Sequence, residues 1–347
     1  MKHHHKKLTL RRDLNLYQAI ACGVGIIVGA GIYVLLGSAA GVAGNAVWIS
    51  FVISAFLALF TGFSYAELSS IFPKDGSEYV YVEKTFNKKL AFLIGYSTLL
   101  GGAISGAAVS LGFSGYFNAL FNTSYLVPVA VSLLILMAII NLRGIKESAN
   151  LNILLTSIEV IGLIFVIAVS LRFFGSVNYF EAPNGIPGIL SASSLIFFAY
   201  IGFESLVKLS EETKNAKKII PLALISSIFI ATILYILVSL SAVSVLGYQA
   251  LSESKAPLAD VISAAVGEDF SLLLTIIALI STATTTLLII MAVSRVLYGL
   301  GEEIKLLNIF TKVSKKSRSP YLAILTILIL ALIFVLIGKI ETVASIT

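Results

Sequence analysis

The sequence has few of the residues that build catalytic or metal centres. Its 347 residues include one cysteine, Cys22, and three histidines, all within the first five positions. One cysteine excludes an intrachain disulfide framework and a cysteine-ligated metal cluster. No Ser-His-Asp set, metal-ligand cluster or phosphate loop is found within an apolar stretch of the sequence. These absences argue against an enzyme, and we expect no metal site and no cofactor.

Charged residues are also scarce, at 12% of the chain, whereas soluble domains have about 25%. Hydrophobic residues make up 58% of the chain, and the mean hydropathy is +1.00. Apolar runs of about 18 residues or more, long enough for a transmembrane helix, recur along the whole length. The alternating pattern of a membrane barrel is missing. The composition therefore predicts an all-α integral membrane protein embedded in the lipid bilayer.

We expect nine membrane spans with the N-terminus in the cytoplasm. They are predicted at residues 16–43, 46–71, 90–117, 125–142, 150–173, 189–210, 220–246, 270–299 and 320–338. Of the 24 Lys and Arg residues, all except Arg172, Lys255 and Lys339 fall in segments on the same side of the membrane as the N-terminus. The positive-inside rule makes this side cytoplasmic. The net charge of +6 is thus an orientation signal. We expect a multi-pass protein of the cell (plasma) membrane and no nucleic-acid partner.

Two spans are expected to be interrupted in the middle. The first reads Gly23-Val-Gly-Ile-Ile-Val-Gly-Ala-Gly-Ile-Tyr33, and Gly29–Gly31 carries almost no side chain. Glycine costs about 1 kcal/mol relative to alanine in a helix, but bare N–H groups opening a second half-helix can bind an anion. The sixth span reads Phe197-Phe-Ala-Tyr-Ile-Gly-Phe-Glu-Ser205. Paired interruptions indicate the binding site of an inverted-repeat transporter, the alternative being that Gly202 only packs against a neighbour.

These stretches resemble the signatures of a known family. The two interrupted spans are similar to the first-helix and sixth-helix signatures of the amino acid–polyamine–organocation permeases. Further matches, in the family's order, are Ser64-Tyr-Ala-Glu-Leu-Ser69, Pro73-Lys-Asp-Gly-Ser-Glu-Tyr79, Glu211-Glu-Thr-Lys-Asn-Ala216, Ile220-Pro221, Ala256-Pro-Leu-Ala259 and Ser294-Arg-Val-Leu-Tyr-Gly299. The resemblance implies an inverted-repeat (5+5, LeuT-like) fold, usually followed by two more helices. It also implies a secondary active amino acid transporter that works by alternating access.

The resemblance divides the chain into two repeats. Residues 1–15 are expected to form a basic cytoplasmic tail, 16–173 the first five-helix repeat, 174–188 an extracellular linker and 189–347 an incomplete second repeat. Residues 341–347 resemble the opening of a tenth helix, so helices 10–12 of the family are missing from this sequence. We expect a truncated or split gene product, or an unknown partner that supplies these helices. The alternative function is a non-transporting binding or regulatory membrane protein, or an inactive permease fragment.

The resemblance also implies how a small amino acid substrate is held. The predicted contacts are the backbone N–H groups of Gly29, Ala30 and Gly31 for the α-carboxylate, and the carbonyl groups of Ile27, Phe198, Ala199 and Ile201 for the α-ammonium. Phe198 matches the aromatic residue that lies over the substrate as a gate. The alternative for Phe198 is an ordinary core or lipid-facing phenylalanine.

Two carboxylates inside predicted spans are candidates for carrying a coupling proton. Glu159 lies midway along the fifth span, where a charge costs at least about 2.5–3.5 kcal/mol. The resemblance places Glu159 where several proton-coupled relatives have a lysine, and places Glu204 at an acidic position of helix 6. The alternative for Glu159 is a structural carboxylate hydrogen-bonded to a nearby Ser or Thr. Ser281 and Thr284 could ligate Na⁺ with first-span carbonyls, although such hydroxyls more often bond their own helix. We expect H⁺ rather than Na⁺.

The charges that follow the sixth span form one further candidate feature. Glu211 and Glu212 are followed by Lys214, Lys217 and Lys218. Such a mixed run is typical of a solvated loop, which is the role we expect here, with gating salt bridges as the alternative.

Overall fold

In the computed structural model, the described residues are 9–254, 256–267 and 271–336. Within them the chain forms α-helices and short 3-10 segments, and its β-pairing is limited to one isolated bridge. The helices are α1 (Leu16–Ile27), α2 (Ala30–Ala43), α3 (Val47–Ile71), α4 (Ser77–Thr85), α5 (Lys88–Phe121), α6 (Leu126–Arg143), α7 (Ile145–Ser170), α8 (Gly185–Tyr200), α9 (Ala216–Glu253), α10 (Pro257–Val266), α11 (Ser271–Glu303) and α12 (Tyr321–Val335). The 3-10 segments are Gly44–Ala46, Leu171–Phe173, Phe203–Glu212 and Lys305–Thr311.

Eight stretches of the described residues are long and apolar enough to cross a membrane. They follow the order of the first eight predicted spans, except that the second stretch, Leu35–Ile71, also takes in the end of the first predicted span. The ninth predicted span is the shorter apolar helix α12. The predicted end of the ninth span at residue 338 and the predicted opening of a tenth helix at 341–347 lie outside the described residues. The helical architecture predicted from composition is confirmed.

The first predicted interruption is present, but it lies earlier than expected. Helix α1 ends at Ile27 and α2 begins at Ala30, so the interruption is Val28 and Gly29 rather than Gly29–Gly31. Gly31 is helical, and a Cβ atom placed on it would lie 2.9 Å from the Cα of Ala199. Glycine at this position therefore allows close packing, whereas the unwinding occurs just before it.

The second predicted interruption is also present. Helix α8 ends at Tyr200, and the chain resumes as the 3-10 segment Phe203–Glu212. Between them, Gly202 has a φ of +123°, in the region that glycine adopts readily and other residues rarely do.

The broken helices lie inside the bundle. Helix α1 packs against α7 and α9, α2 packs against α8 and α9, and α8 also contacts α3. The largest buried apolar cluster includes Ile27, Ile32, Ile196 and Tyr200 from the two broken helices. A second cluster joins α5, α6, α11 and α12 on the other side of the bundle. The packing therefore buries the residues on both sides of the first interruption and the end of α8 among neighbouring helices.

Candidate substrate and coupling-ion site

The two interruptions are in direct contact. Gly31, in the first turn of α2, packs on Ala199 at the end of α8, and Gly202 packs on Ile26 of α1. The first N–H groups of α2 and the last carbonyl groups of α8 have no partner within their own helices. These ends carry partial positive and partial negative charge, respectively. The arrangement is complementary to a zwitterion, whose carboxylate and ammonium groups need opposite environments.

A tyrosine that the sequence analysis did not select connects the two broken helices. The hydroxyl of Tyr235, in α9, donates to the carbonyl of Ile27 and lies 3.2 Å from the carbonyl of Ala199. Its side chain is fully buried, with its ring centroid 5.3 Å from that of Tyr200. Two of the four carbonyls predicted to hold an ammonium group thus share the single proton of one phenol. The only sequence signal was a tyrosine within an aliphatic stretch.

A cavity of about 540 Å³ opens beside the second interruption. Phe198 and Ile201 line it, with 66% and 48% of their surfaces exposed. The carbonyl of Phe198 accepts a hydrogen bond of 3.3 Å from the N–H of Ile201. Phe198 therefore lies on the cavity wall, next to the contact between the broken helices, and its role as a gate stays a prediction. Its carbonyl is partly engaged by the turn that ends α8.

Glu159, in α7, is fully buried, and neither carboxylate oxygen has a hydrogen-bond partner among the described residues. It faces Ser281 and Thr284 of α11. Thr284 donates to the carbonyl of Ile280 in its own helix at 2.9 Å. Because Ser281 and Thr284 lie beside the carboxylate, the alternative of a structural carboxylate next to a Ser or Thr stays a prediction, as does the proton carrier.

More unpartnered oxygens lie near Glu159 and the first interruption. Within the described residues, the hydroxyl groups of Tyr33, Ser281 and Thr285 are buried without a hydrogen-bond partner. A Cβ atom on Gly29 would lie 2.6 Å from the Thr285 hydroxyl, so this group reaches the first interruption. An unsatisfied buried polar group costs about 1–3 kcal/mol. A proton on Glu159, or a cation among these oxygens, would remove part of that cost.

Glu204, the second predicted proton carrier, has local partners. One carboxylate oxygen accepts the N–H of Gly202 at 2.8 Å, and the other lies 4.0 Å from the Nζ of Lys208. The same Nζ is 3.4 Å from a carboxylate oxygen of Glu78, at the start of α4. Glu204 thus fixes the shape of the interruption. Neither Lys208 nor Glu78 was predicted as a site residue, because each resembles an ordinary charge near a span end.

Comparison with known proteins identifies the family. The amino acid permease family matches residues 14–347 of the chain. The chain belongs to the amino acid permease family. This permease is 32% identical over 336 residues to the branched-chain amino acid permease BcaP of Bacillus subtilis, covering 91% of this chain and 72% of that protein.

Two further relatives show the range of the similarity. The permease is 31% identical to the methylthioribose transporter of Bacillus subtilis, covering 91% of this chain and 73% of that protein. It is 30% identical to the chloroplastic cationic amino acid transporter 9 of Arabidopsis thaliana, covering 88% of this chain and 58% of that protein.

Solved structures with the same fold are more distant in sequence. A nucleobase-cation-symport-1 family transporter, Mhp1, aligns with a TM-score of 0.64 at 11% identity, covering 95% of this chain and 74% of that one. A Na⁺-coupled sialic acid symporter aligns with a TM-score of 0.66 at 13% identity, covering 98% and 78%. The permease therefore has the inverted-repeat transporter fold implied by the sequence resemblance.

A buried ionic cluster holds the basic side of the permease together. We define the basic side as the end of the bundle that carries residues 72–87, 143–145 and 213–215. Arg295 of α11, fully buried, binds Glu212 through two hydrogen bonds of 2.7 and 3.1 Å. Asp75, also fully buried, accepts the N–H of Glu211 at 2.7 Å. The predicted solvated loop at Glu211 and Glu212 is thus wrong for Glu212, which is 1% exposed.

The environment of Asp75 favours its protonated form. Burial, reinforced by the neighbouring Glu211 and Glu212 carboxylates, raises the pKa of Asp75 well above its ordinary value. The hydrogen bond from the Glu211 N–H and the charge of Arg295 oppose this rise only in part. The cluster joins the α3–α4 connection, the 3-10 segment after α8 and helix α11.

Proposed function

We propose that the protein is a secondary active transporter that carries an amino acid across the plasma membrane by alternating access. The observation that carries this proposal is the contact between the two interrupted helices, where free N–H groups of α2 oppose terminal carbonyls of α8. The substrate carboxylate binds the N–H groups of Gly29, Ala30 and Gly31. Its ammonium group takes carbonyls from the set Ile27, Phe198, Ala199 and Ile201. The distribution of Lys and Arg supports a cytoplasmic basic side.

The ammonium group must compete for two of these carbonyls. Because Tyr235 already donates to Ile27 and approaches Ala199, substrate binding displaces its hydroxyl. Displacement frees a hydroxyl group at the junction of the two broken helices. Phe198 closes over the bound amino acid from the adjacent cavity.

We propose that the coupling ion is a proton carried by Glu159. A buried carboxylate among unpartnered hydroxyls is stable when neutral and is costly when charged. The proximity of Glu159 to Ser281, and of Thr285 to Gly29, supports a proton site next to the substrate carboxylate. A second candidate ion is Na⁺, favoured by the oxygen-rich surroundings of Ser281, Thr284 and Thr285. The two ions compete for the same carboxylate, so one experiment separates them.

The coupling test measures uptake of labelled amino acids into proteoliposomes under a pH gradient or a Na⁺ gradient. We expect the pH gradient to drive uptake and Glu159→Gln to abolish this effect while substrate binding persists. Glu67→Gln is the matched control, because Glu67 is exposed near the end of α3. Full pH-driven uptake by Glu159→Gln would refute the role of Glu159, and uptake driven only by Na⁺ would support the second ion.

The substrate site is tested by Gly31→Val. The new side chain would collide with the Ala199 backbone, so we expect loss of high-affinity binding with membrane insertion intact. Gly115→Val is the control, because no atom lies within 4 Å of a Cβ at that position. Tight binding by Gly31→Val would contradict the proposed site.

A further inference from the structure

The cavity beside the second interruption has a charged end that the proposed substrate site does not use. Its lining includes Phe198, Ile201 and Gly202 at the interruption, and also the charged side chains of Glu78, Glu204 and Lys208. Apolar side chains and small residues of α5 and α11 form much of the wall between them. The same cavity therefore connects the meeting point of the broken helices to a group of charges nearer the basic side.

These charges are held within a largely buried setting. The side chain of Lys208 is 6% exposed, and those of Glu78 and Glu204 are 14% and 24% exposed. Two carboxylates from separate elements share this single ammonium group, at 3.4 and 4.0 Å. Replacing a buried ion pair by apolar side chains is often neutral or stabilising. Such charges are therefore weak stabilisers, and their place on a cavity wall indicates a binding role.

We propose that this end of the cavity is a second, transient site for the amino acid zwitterion, occupied between the broken helices and the cytoplasm. The substrate carboxylate binds the ammonium group of Lys208, and the substrate ammonium binds the carboxylates of Glu78 and Glu204. This inference rests on the proposed function, since it assumes that an amino acid passes through the cavity. It assigns side-chain contacts, whereas the first site uses backbone groups.

The charge balance explains why a zwitterion fits better than a simple ion. A lone anion would be repelled by the two carboxylates, and a lone cation that drew the carboxylates to itself would leave the buried Lys208 without a new partner. A zwitterion opens the Lys208–Glu78 pair and replaces it with two new pairs. The protein groups are already held in position and partly desolvated, which lowers the cost of binding. Because the substrate must first break an existing pair, the site is weaker than the first and favours onward release.

The test measures equilibrium binding of a labelled amino acid to the purified full chain. We expect a tight and a weak component in the unaltered protein. Gly31→Val should remove the tight component and leave the weak one. Lys208→Met should weaken the weak component at least about tenfold, since one partner of a buried charge pair is lost, and Lys208→Arg should preserve it. Lys214→Met, at an exposed lysine, should change neither component.

The outcomes separate the second site from the first. Loss of all binding in folded Gly31→Val, or an unchanged weak component in Lys208→Met, would overturn the second site. Unchanged tight binding in Gly31→Val would instead overturn the proposed function. If Lys208→Met does not fold, Glu78→Gln takes its place, and the number of amino acids bound per chain is measured on the unaltered protein. One bound amino acid per chain would overturn the proposal.

Discussion

Replacement of Tyr235 by phenylalanine probes the junction of the two broken helices with minimal change of shape. The hydroxyl serves the carbonyls of Ile27 and Ala199, and the side chain is fully buried. Since the phenol has one proton, the change removes roughly one hydrogen bond, worth about 0.5–1.5 kcal/mol. We expect the substrate-free protein to lose stability by this amount. The edge-to-face contacts of the ring with Tyr200 and Phe51 should persist.

The effect of Tyr235→Phe on affinity is the informative one. If the substrate ammonium displaces the hydroxyl, the variant no longer needs to break that bond, and the substrate satisfies carbonyls left without a donor. Binding should then tighten by about 0.6–1.4 kcal/mol, or about three- to tenfold. The assay is a thermal unfolding series at increasing substrate concentration, which reports stability and affinity together. Weaker or unchanged binding by the folded variant would refute displacement of Tyr235 by the ammonium group.

Other predictions concern the ionic cluster on the basic side. Arg295→Met leaves the buried Glu212 carboxylate unpaired and should lower the free energy of unfolding by about 3–5 kcal/mol, measured by thermal unfolding. Lys74→Met removes a half-exposed ion pair and should lower it by at most about 1 kcal/mol. Similar losses for both would contradict the burial of the first pair. Because the folded-state pKa of Asp75 is raised, its protonated form stabilises the closed cluster, and this contribution is lost as pH rises through that pKa. Asp75→Asn should therefore flatten the fall of melting temperature with rising pH, and an unchanged pH profile would contradict this assignment.

The sequence predicted the helical fold and both interruptions because their signals are local. Long apolar runs define spans, and glycines within a run mark where a helix can break or pack. The same signal does not separate these two uses, which is why the first interruption lies before Gly31 rather than around it. Glu159 was found because an isolated carboxylate in an apolar run is unusual.

The remaining site residues depend on partners that are distant in the chain. Tyr235 is 208 positions from Ile27, and Arg295 is 83 positions from Glu212. A run of mixed charges, such as that around Glu212, has the composition of a solvated loop. Only the packing of α11 against that segment brings the arginine to it. Such pairings follow from tertiary contacts and have no periodic signature in the sequence.

The central claim is that the interrupted helices recognise the two charged groups of an amino acid separately. The most direct measurement compares the thermal stabilisation of the protein by its best amino acid ligand, the corresponding amide and the corresponding 2-hydroxy acid. The amide lacks the carboxylate that α2 binds, and the hydroxy acid lacks the ammonium that the α1 and α8 carbonyls bind. We predict stabilisation by the amino acid and little or none by either analogue. Equal stabilisation by either analogue would contradict the account.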